Sequence, residues 1–521
     1  MMAKHFFLPV AFICLVSVAF AAAFAPTTST TLNLPSSLST PSLLPRSCPL
    51  HVTNRVDDGD DVEIQTDHRS CSHEQVNGAS LDTSVPQSTS RGAIERRSAL
   101  KSMTVSSGIA ASLLLNKPKE AMAEITEDSQ WPLWTALPVA PYSRRKTIRK
   151  EVAPGVWTFD QLIGIYYVHV PIRMTVVARK DGEGLFVYAP VAPTKECLAL
   201  MQDLVDQYGP VRTILLPSVA VEHKVNAGPF ARNFPNADFF VTDKQYSFPI
   251  PLPNSFLGLP KWTKPLPTDG TAFGPEFDYE VLTVQPGPGS MYQDVAVCHK
   301  PSKTVMVCDA VFAVTNDPPA ILMEEPEYTR ALLFHARDEK DDVVEDTPEN
   351  RRKGWRRIVL LFNFFFPGSG TGNLGPGPIL DALKTPGYKY GWGGWKPFSW
   401  RDTELKDFEV FSDEGKPTVL PIIQIILSRG PTAVKAWLNK IALWDFQRVI
   451  PAHLDAPLAL GPKEFAAAFE FVESGKNEVR FCDEDVQFLR KAEEGVLNFS
   501  VFKTPLGTLR GKNGECGLRE T

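Results

Sequence analysis

The chain has 521 residues, 43% of them hydrophobic and 22% charged, with a formal net charge of −6. Its first 123 residues carry ten basic and ten acidic side chains, so the whole acidic excess lies after them. A charge this mild leaves no electrostatic footprint for nucleic acid, and the remaining length, about 400 residues, suffices for one large core with insertions or for two domains.

Lys4 and His5 precede an apolar run from Phe6 to Phe20 that exits through Ala21, Ala22 and Ala23, the pattern of a secretory signal peptide over 1–23. The run is too short and wrongly flanked for a retained membrane span. No Asp or Glu follows before Asp57, and the stretch is rich in Ser and Thr, which is transit-peptide composition. Residues 57–95 read as a disordered polar spacer, so 24–95 is expected to be transit segment and linker. The junction Ala23-Phe24-Ala25-Pro26 resembles the bipartite presequences of diatoms and related algae. Arg96 and Arg97, an apolar stretch from Ser106 to Leu115 and an A-x-A site at Ala121 to Ala123 form a twin-arginine-type export signal over 96–123. Together these signals predict a plastid protein directed to the thylakoid lumen, with the working domain over 124–521.

In that domain, Met174 to Ala178 and Leu185 to Tyr188 flank an Asp181-Gly182 turn, a hairpin signal. Apolar residues at helical spacing run from Thr194 to Tyr208 and stop at Gly209-Pro210. Val211 to Leu216 reads as a buried strand, about Gly228 to Phe234 as a helix and Asp238 to Thr242 as a strand. This alternation argues for α/β layers. Phe248 to Pro267 is proline-rich and expected to be irregular. Tyr279 to Val284 reads as a strand. Asp294 to His299 and Thr304 to Cys308 form a second hairpin, turning at Lys300 to Lys303. The pattern breaks over about 320–415, which reads as an insertion holding a charged run, the greasy segment Ile358 to Phe366 and aromatic residues from Tyr388 to Trp400. Ile358 to Phe366 is too short to span a bilayer, so no transmembrane segment is expected after the leader. Leu420 to Leu443 is expected to be helix, Phe446 to Ile450 strand and Lys463 to Ser474 helix. Five cysteines lie beyond the leader without a C-x-x-C pair, which removes zinc ribbons and thioredoxin motifs. Cys298 and Cys308 are expected to be free and buried. The glycines at 368–375 lack a Lys-Ser/Thr ending, so they form no P-loop.

Three apolar strands run on into metal-competent side chains: Thr213 to Leu216 into Glu222 and His223, Thr304 to Cys308 into Asp309, and Arg448 to Ala452 into His453. If the strands share a direction, these side chains gather at one sheet edge, where α/β proteins place their sites. Imidazole with carboxylate is a sound donor set for zinc, iron or manganese. Each residue also has a structural alternative. His223 could cap a helix, Glu222 face solvent or Lys224, Asp309 cap backbone amides and His453 bond a loop carbonyl. His299 is expected to be solvated, and His169 and His335 to be structural.

The order of these residues resembles that of metallo-β-lactamase-like hydrolases. There a strand ends in H-x-H-x-D-H, a Gly-His-Thr-Pro-Gly-Ser-like turn follows, a later strand ends in Asp and a last strand ends in His. On that pattern His223 takes the final His of the first motif, Glu222 its Asp, Ala220 its middle His and Ser218 its first; the turn survives as Pro286 to Ser290 without its His. Asp309 matches the bridging Asp and His453 the last His. Residues 217–235 and 298–312 are similar to a domain-of-unknown-function family of that superfamily in cyanobacteria, plants and algae, the match covering roughly 150–315 and 416–475.

The resemblance implies an αββα sandwich in which one of two metal subsites is erased and the other kept, with Glu222, His223, Asp309 and His453 around one divalent metal: zinc first, iron or manganese as alternatives. It implies a mononuclear metal-dependent hydrolase of an ester, thioester or phosphoester, in which Glu222 or Asp309 handles the water proton and Trp392, Trp395, Phe398 and Trp400 wall the substrate. The competing reading is a non-catalytic lumenal binding or assembly factor for the photosynthetic machinery, with the insertion as its interface.

Overall fold

A computed structural model describes residues 145–512 except 166, 181, 244, 246–252, 287–290, 373–395, 397, 474–477 and 499–509. The three leader segments and the beginning of the working domain lie outside the described residues, as do Gly287 to Ser290 of the expected turn.

Strands β1 (Ile148–Ala153), β2 (Val156–Ile165), β3 (Val168–Ala178) and β4 (Leu185–Tyr188) pair antiparallel in succession. Helix α1 (Lys195–Tyr208) crosses to β5 (Val211–Leu216) and α2 (Val221–Arg232) to β6 (Asp238–Val241). These pairings are parallel, which is why each needs a crossover instead of a tight turn. Thr194 caps α1 by accepting the amide of Cys197. β7 (Lys264–Pro265) completes a seven-stranded sheet in sequence order.

The chain then builds β8 (Phe277–Val284), β9 (Tyr292–His299) and β10 (Thr304–Val307). The insertion follows, with α3 (Pro326–Ala336), α4 (Pro348–Phe364), β11 (Gly370–Gly372), β12 (Phe398–Trp400) and α5 (Glu404–Ser412). Helices α6 (Pro421–Leu427) and α7 (Pro431–Ile441) lead to β13 (Arg448–Pro451), then α8 (Pro462–Ala467) and α9 (Glu470–Glu473). A last unit holds β14 (Glu478–Cys482), α10 (Asp483–Asn498) and β15 (Arg510–Lys512). The second sheet runs β13-β10-β9-β8, with β13 parallel to β10.

Alternation along the strands sorts side chains into layers, because successive residues face opposite ways. Val187, Ile214 and Phe239 pack with Cys197, Met201 and Leu204 of α1 and with Phe230 of α2. Their neighbours Phe186, Tyr188, Leu215 and Phe240 face the other way, onto Phe277, Tyr279, Val295, Met306 and Ile450 of the second sheet. The far face of that sheet, with Val305, Val307 and Val449, packs on Val434, Trp437, Ile422 and Ile358 from the later helices. The four layers are therefore helices, sheet, sheet and helices: the expected αββα sandwich is present. Full burial of each Phe, Leu, Val or Ile stabilises this arrangement by about 1.5–3 kcal/mol.

Several boundaries differ from expectation. Helix α2 begins at Val221, seven residues before the expected start. Its N-cap Ala220 offers no side-chain bond and Pro229 lies inside it; a proline normally marks a first turn, so the sequence misplaces the start. The expected helix 420–443 is two helices, because Gly430-Pro431 breaks the amide ladder. Residues 463–474 likewise divide into α8 and α9. In the insertion, α4 carries Ile358 to Phe364 and lies close on α3. A Cβ on Gly354 would sit 1.9 Å from the Leu332 carbonyl oxygen, so only glycine permits that contact. Cys298 and Cys308 are free and buried as expected, as is Cys197, whereas Cys482 is disulfide-bonded. No helix among the described residues is long and apolar enough to cross a membrane.

Candidate metal centre

The three strand ends do not share one sheet, as the sequence alone suggested. β5 belongs to the first sheet and β10 and β13 to the second, and the site forms where the two sheets meet at one edge. After β5, Pro217 accepts the amide of Val295 through its carbonyl at 3.0 Å, and Ser218 bridges to Asp294 of β9. The chain then enters α2, whose first turn carries Glu222 and His223. Acidic side chains are favoured there by the helix dipole.

Glu222, His223, Asp309 and His453 come together, each offering a ligand atom within 4.8 Å of the others'. The two imidazoles present Nε2 to Nε2 at 3.1 Å. Asp309 Oδ1 lies 3.5 Å from His453 Nε2 and 3.9 Å from His223 Nε2. Donors held about 2.0–2.1 Å from a tetrahedral zinc are separated by about 3.4 Å, so this triangle has the size of one ion's coordination shell. His453 Nδ1 donates to the Pro171 carbonyl at 2.8 Å, which fixes its tautomer and leaves a lone pair on Nε2. The loop-carbonyl bond and the ligand role, alternatives in the sequence, are thus two ends of one ring. Two ring nitrogens so close require a proton or a cation between them. His223 Nδ1 meets no hydrogen-bond partner among the described residues.

The electrostatics keep the imidazoles neutral. Burial pushes His453 down to about 4 and holds His223 well below its ordinary range, His453 adding to the latter effect. Burial raises the Glu222 carboxyl, and the charge of Asp309 raises it further. Asp309 is itself raised by burial, against which the Ser218 hydroxyl works. Ser218 Oγ accepts the Ala220 amide and donates to Asp309 Oδ2, both at 3.1 Å. One oxygen of Asp309 is therefore capped by a hydroxyl while the other faces the imidazoles. That division suits one ion, not two.

Asp294 was not legible as part of the site. Fully buried on β9, it accepts the amides of Cys308 at 3.1 Å and Asp309 at 2.6 Å. It thereby sets the backbone that aims Asp309. The signal for it was a carboxylate inside the apolar stretch Tyr292 to Val297. Glu222 does not face solvent: it is 7% exposed, and the charge of Lys224 opposes its raised pKa.

The remaining candidates fall elsewhere. His299 is buried, not solvated, with Nδ1 2.8 Å from Ser302 Oγ. His169 and His335 are buried outside the cluster. The expected substrate wall is also revised. Trp392 and Trp395 lie outside the described residues, Trp400 lies under the guanidinium of Arg357 and the Phe398 ring meets His335. Among the described residues, Phe362 of α4 brings its ring 6.3 Å from that of His453. A second group, Asp407, Cys482 and Asp485, is also close-set, but its sulfur is tied up in the disulfide.

Comparison with curated proteins gives no match. Among solved structures, the chain is similar to the mono-zinc form of the metallo-β-lactamase FIM-1 from Pseudomonas aeruginosa, at 10% identity over 63% of this chain and 95% of that one, TM-score 0.32. It is similar to the metal-soaked Flv1 flavodiiron core from Synechocystis sp. PCC6803, at 11% identity over 71% and 72%, TM-score 0.32. It is also similar to a metallo-β-lactamase from Pontibacter korlensis, at 14% identity over 36% and 83%, TM-score 0.25. The four-layer architecture stands on the sheet order and core packing described above. Residues 154–471, which include every member of the Glu222, His223, Asp309 and His453 cluster, match the family described as a domain of unknown function, DUF4336, and the chain belongs to that family.

Proposed function

We propose that this chain is a mononuclear metal-dependent hydrolase of an ester, thioester or phosphoester, working in a plastid, in the thylakoid lumen. The observation that carries the reading is the triangle of His223 Nε2, His453 Nε2 and Asp309 Oδ1, with edges of 3.1, 3.5 and 3.9 Å. These three residues would hold the ion, with Glu222 as a fourth donor or a free carboxyl beside it. A bound divalent ion, zinc first and iron or manganese as alternatives, would supply a water acidified to a pKa of about 7 and polarise the scissile bond's oxygen.

The chain's own groups do the rest. The two imidazoles enter neutral, as ligands must. The Ser218 hydroxyl and the amides held by Asp294 keep Asp309 aimed. Glu222, with its pKa raised by burial and by Asp309, takes and returns the proton of the attacking water, the role for which a carboxyl shifted toward neutrality is suited. Phe362 supplies an apolar wall. The leader supports the location, and the Cys482 disulfide suits an oxidising compartment.

A second reading draws on the depth of the cluster: His223 is fully buried, and Glu222 and Asp309 are under one-tenth exposed. If all four donors bind, the shell is closed, as in structural zinc sites, and the protein is a binding or assembly factor. The test is Glu222→Gln in the full-length chain, assayed for zinc content and for hydrolysis of nitrophenyl ester, acyl-thioester and phosphodiester probes. The enzyme reading expects zinc retained and turnover lowered about 10²–10⁴-fold. Loss of zinc from the variant, with no turnover by the wild type, would overturn it in favour of the closed site.

A further inference from the structure

Arg173 lies in the middle of β3, opposite Asp160 of β2, and is 3% exposed. It is the one basic residue in the apolar run from Val170 to Ala178, where an unneeded charge would be costly. Its side chain meets that partner and reaches on to the second sheet. Nε meets Asp160 Oδ1 at 2.6 Å, Nη1 donates to the Pro451 carbonyl at 2.8 Å and Nη2 to the Leu454 carbonyl at 2.9 Å. Those carbonyls lie on either side of His453. The Arg173 amide donates to the Ala452 carbonyl at 2.8 Å, Ile172 bridges to His453 and the Pro171 carbonyl accepts a hydrogen bond from His453 Nδ1. Three consecutive residues of the first sheet thus grip the loop that leaves the second sheet carrying the imidazole.

The loop needs that grip. Leu454 has φ of 55°, a left-handed conformation that leucine adopts only when its surroundings impose it. With the chain turning there, the carbonyls of Pro451 and Leu454 are both met by one guanidinium, whose planar fork holds two acceptors at a fixed spacing that the rotatable donors of an ammonium do not set. On the reading of the cluster as a metal site, we infer that Arg173 is the positioning residue for His453: it fixes the imidazole that the ion requires without touching the ion. Asp160 holds the guanidinium at its other side.

The experiment compares zinc affinity, by competition with a chromophoric chelator, and the visible absorption of the cobalt(II) form across full-length wild type, Arg173→Lys, Arg173→Met and Asp160→Asn. Far-UV circular dichroism and metal-free melting serve as folding controls. Loss of a group that orients a ligand costs about 10–100-fold in affinity. That loss is expected for both Arg173 variants, with a weakened cobalt band and a smaller loss for Asp160→Asn. The lysine variant keeps the charge, so a loss shared by Lys and Met assigns the effect to the fork. Wild-type affinity and an unchanged cobalt spectrum in a folded Arg173→Lys overturn the inference. If either arginine variant fails to fold, Asp160→Asn decides: an unshifted affinity and spectrum overturn the inference. A wild type that takes up neither ion overturns the metal reading itself, and Arg173 with it, in a control distinct from the variants.

Discussion

The two ends of β10 each place a histidine beside a carboxylate, and only one end has the makings of a site. At the start of the strand, His299 pairs in register with Thr304. Its Nδ1 meets Ser302 at 2.8 Å and its Nε2 lies 3.7 Å from Glu276. Glu276 is already met by Arg179 at 3.5 Å and by the Lys180 amide at 3.0 Å. At the end of the strand, Asp309 faces two imidazoles whose Nε2 atoms converge. Burial makes both histidine environments neutral, pushing His299 and His453 each down to about 4. The difference is what remains unspent. At His299 a single ring spends Nδ1 on a hydroxyl and leaves Nε2 unbonded beside a carboxylate that already answers a cation, whereas at the other end one carboxylate oxygen and two ring nitrogens are all directed at a common point.

The contrast can be broken or sharpened by substitution in the full-length chain. The largest effect is expected for Asp309→Asn, which removes the anionic donor; its zinc affinity, measured by chelator competition, should fall by more than the roughly 100-fold upper bound for an orienting residue. His223→Ala and His453→Ala should each lose zinc comparably. Equal retention by either would show that its ring is structural. Ser218→Ala frees the capped oxygen of Asp309, and an affinity loss of about 10-fold is expected. A gain of a second ion in that variant would mean that the hydroxyl had been excluding one. The smallest effect belongs to the other end: His299→Gln should bind zinc as the wild type does.

His299→Gln has a separate signature in stability. The folded pKa of His299 is depressed to about 4 from an ordinary 6.5, so the unfolded chain takes up the proton first as pH falls. The stability contributed by the neutral ring is present above about pH 6.5 and drains away down to about pH 4. Urea melts of the variant should therefore lose less stability across that window than those of the wild type, and an identical slope would show that His299 titrates normally.

The strands were legible because apolar runs of four to eight residues bounded by turns carry their own signal, and β4, β5, β6 and β10 lie where that signal put them. The site was half legible. Glu222, His223, Asp309 and His453 could be read as chemistry at strand ends, since their side chains are out of keeping with the apolar residues before them. The groups that aim them could not. Asp294, Arg173 and Ser218 act across 15 to 281 positions of the chain, and no local pattern encodes a hydrogen bond of that span. A charge inside a buried strand was the only trace that Asp294 and Arg173 left. Helix α2 was misplaced for the opposite reason. Pro229 gives a strong local cue for a helix start, and the packing of Ala227 and Phe230 on the first sheet overrides it. His299 was expected in solvent because Lys300-Pro301 promises an exposed turn, but its ring folds back onto Phe277, 5.0 Å away.

The most direct measurement is the metal content of the purified full-length protein by elemental analysis, wild type beside the His223→Ala, His453→Ala double variant. One ion per chain in the wild type and none in the double variant is the result expected from two imidazoles and one carboxylate oxygen converging on a point. Negligible metal in both, or two ions per wild-type chain, would contradict it.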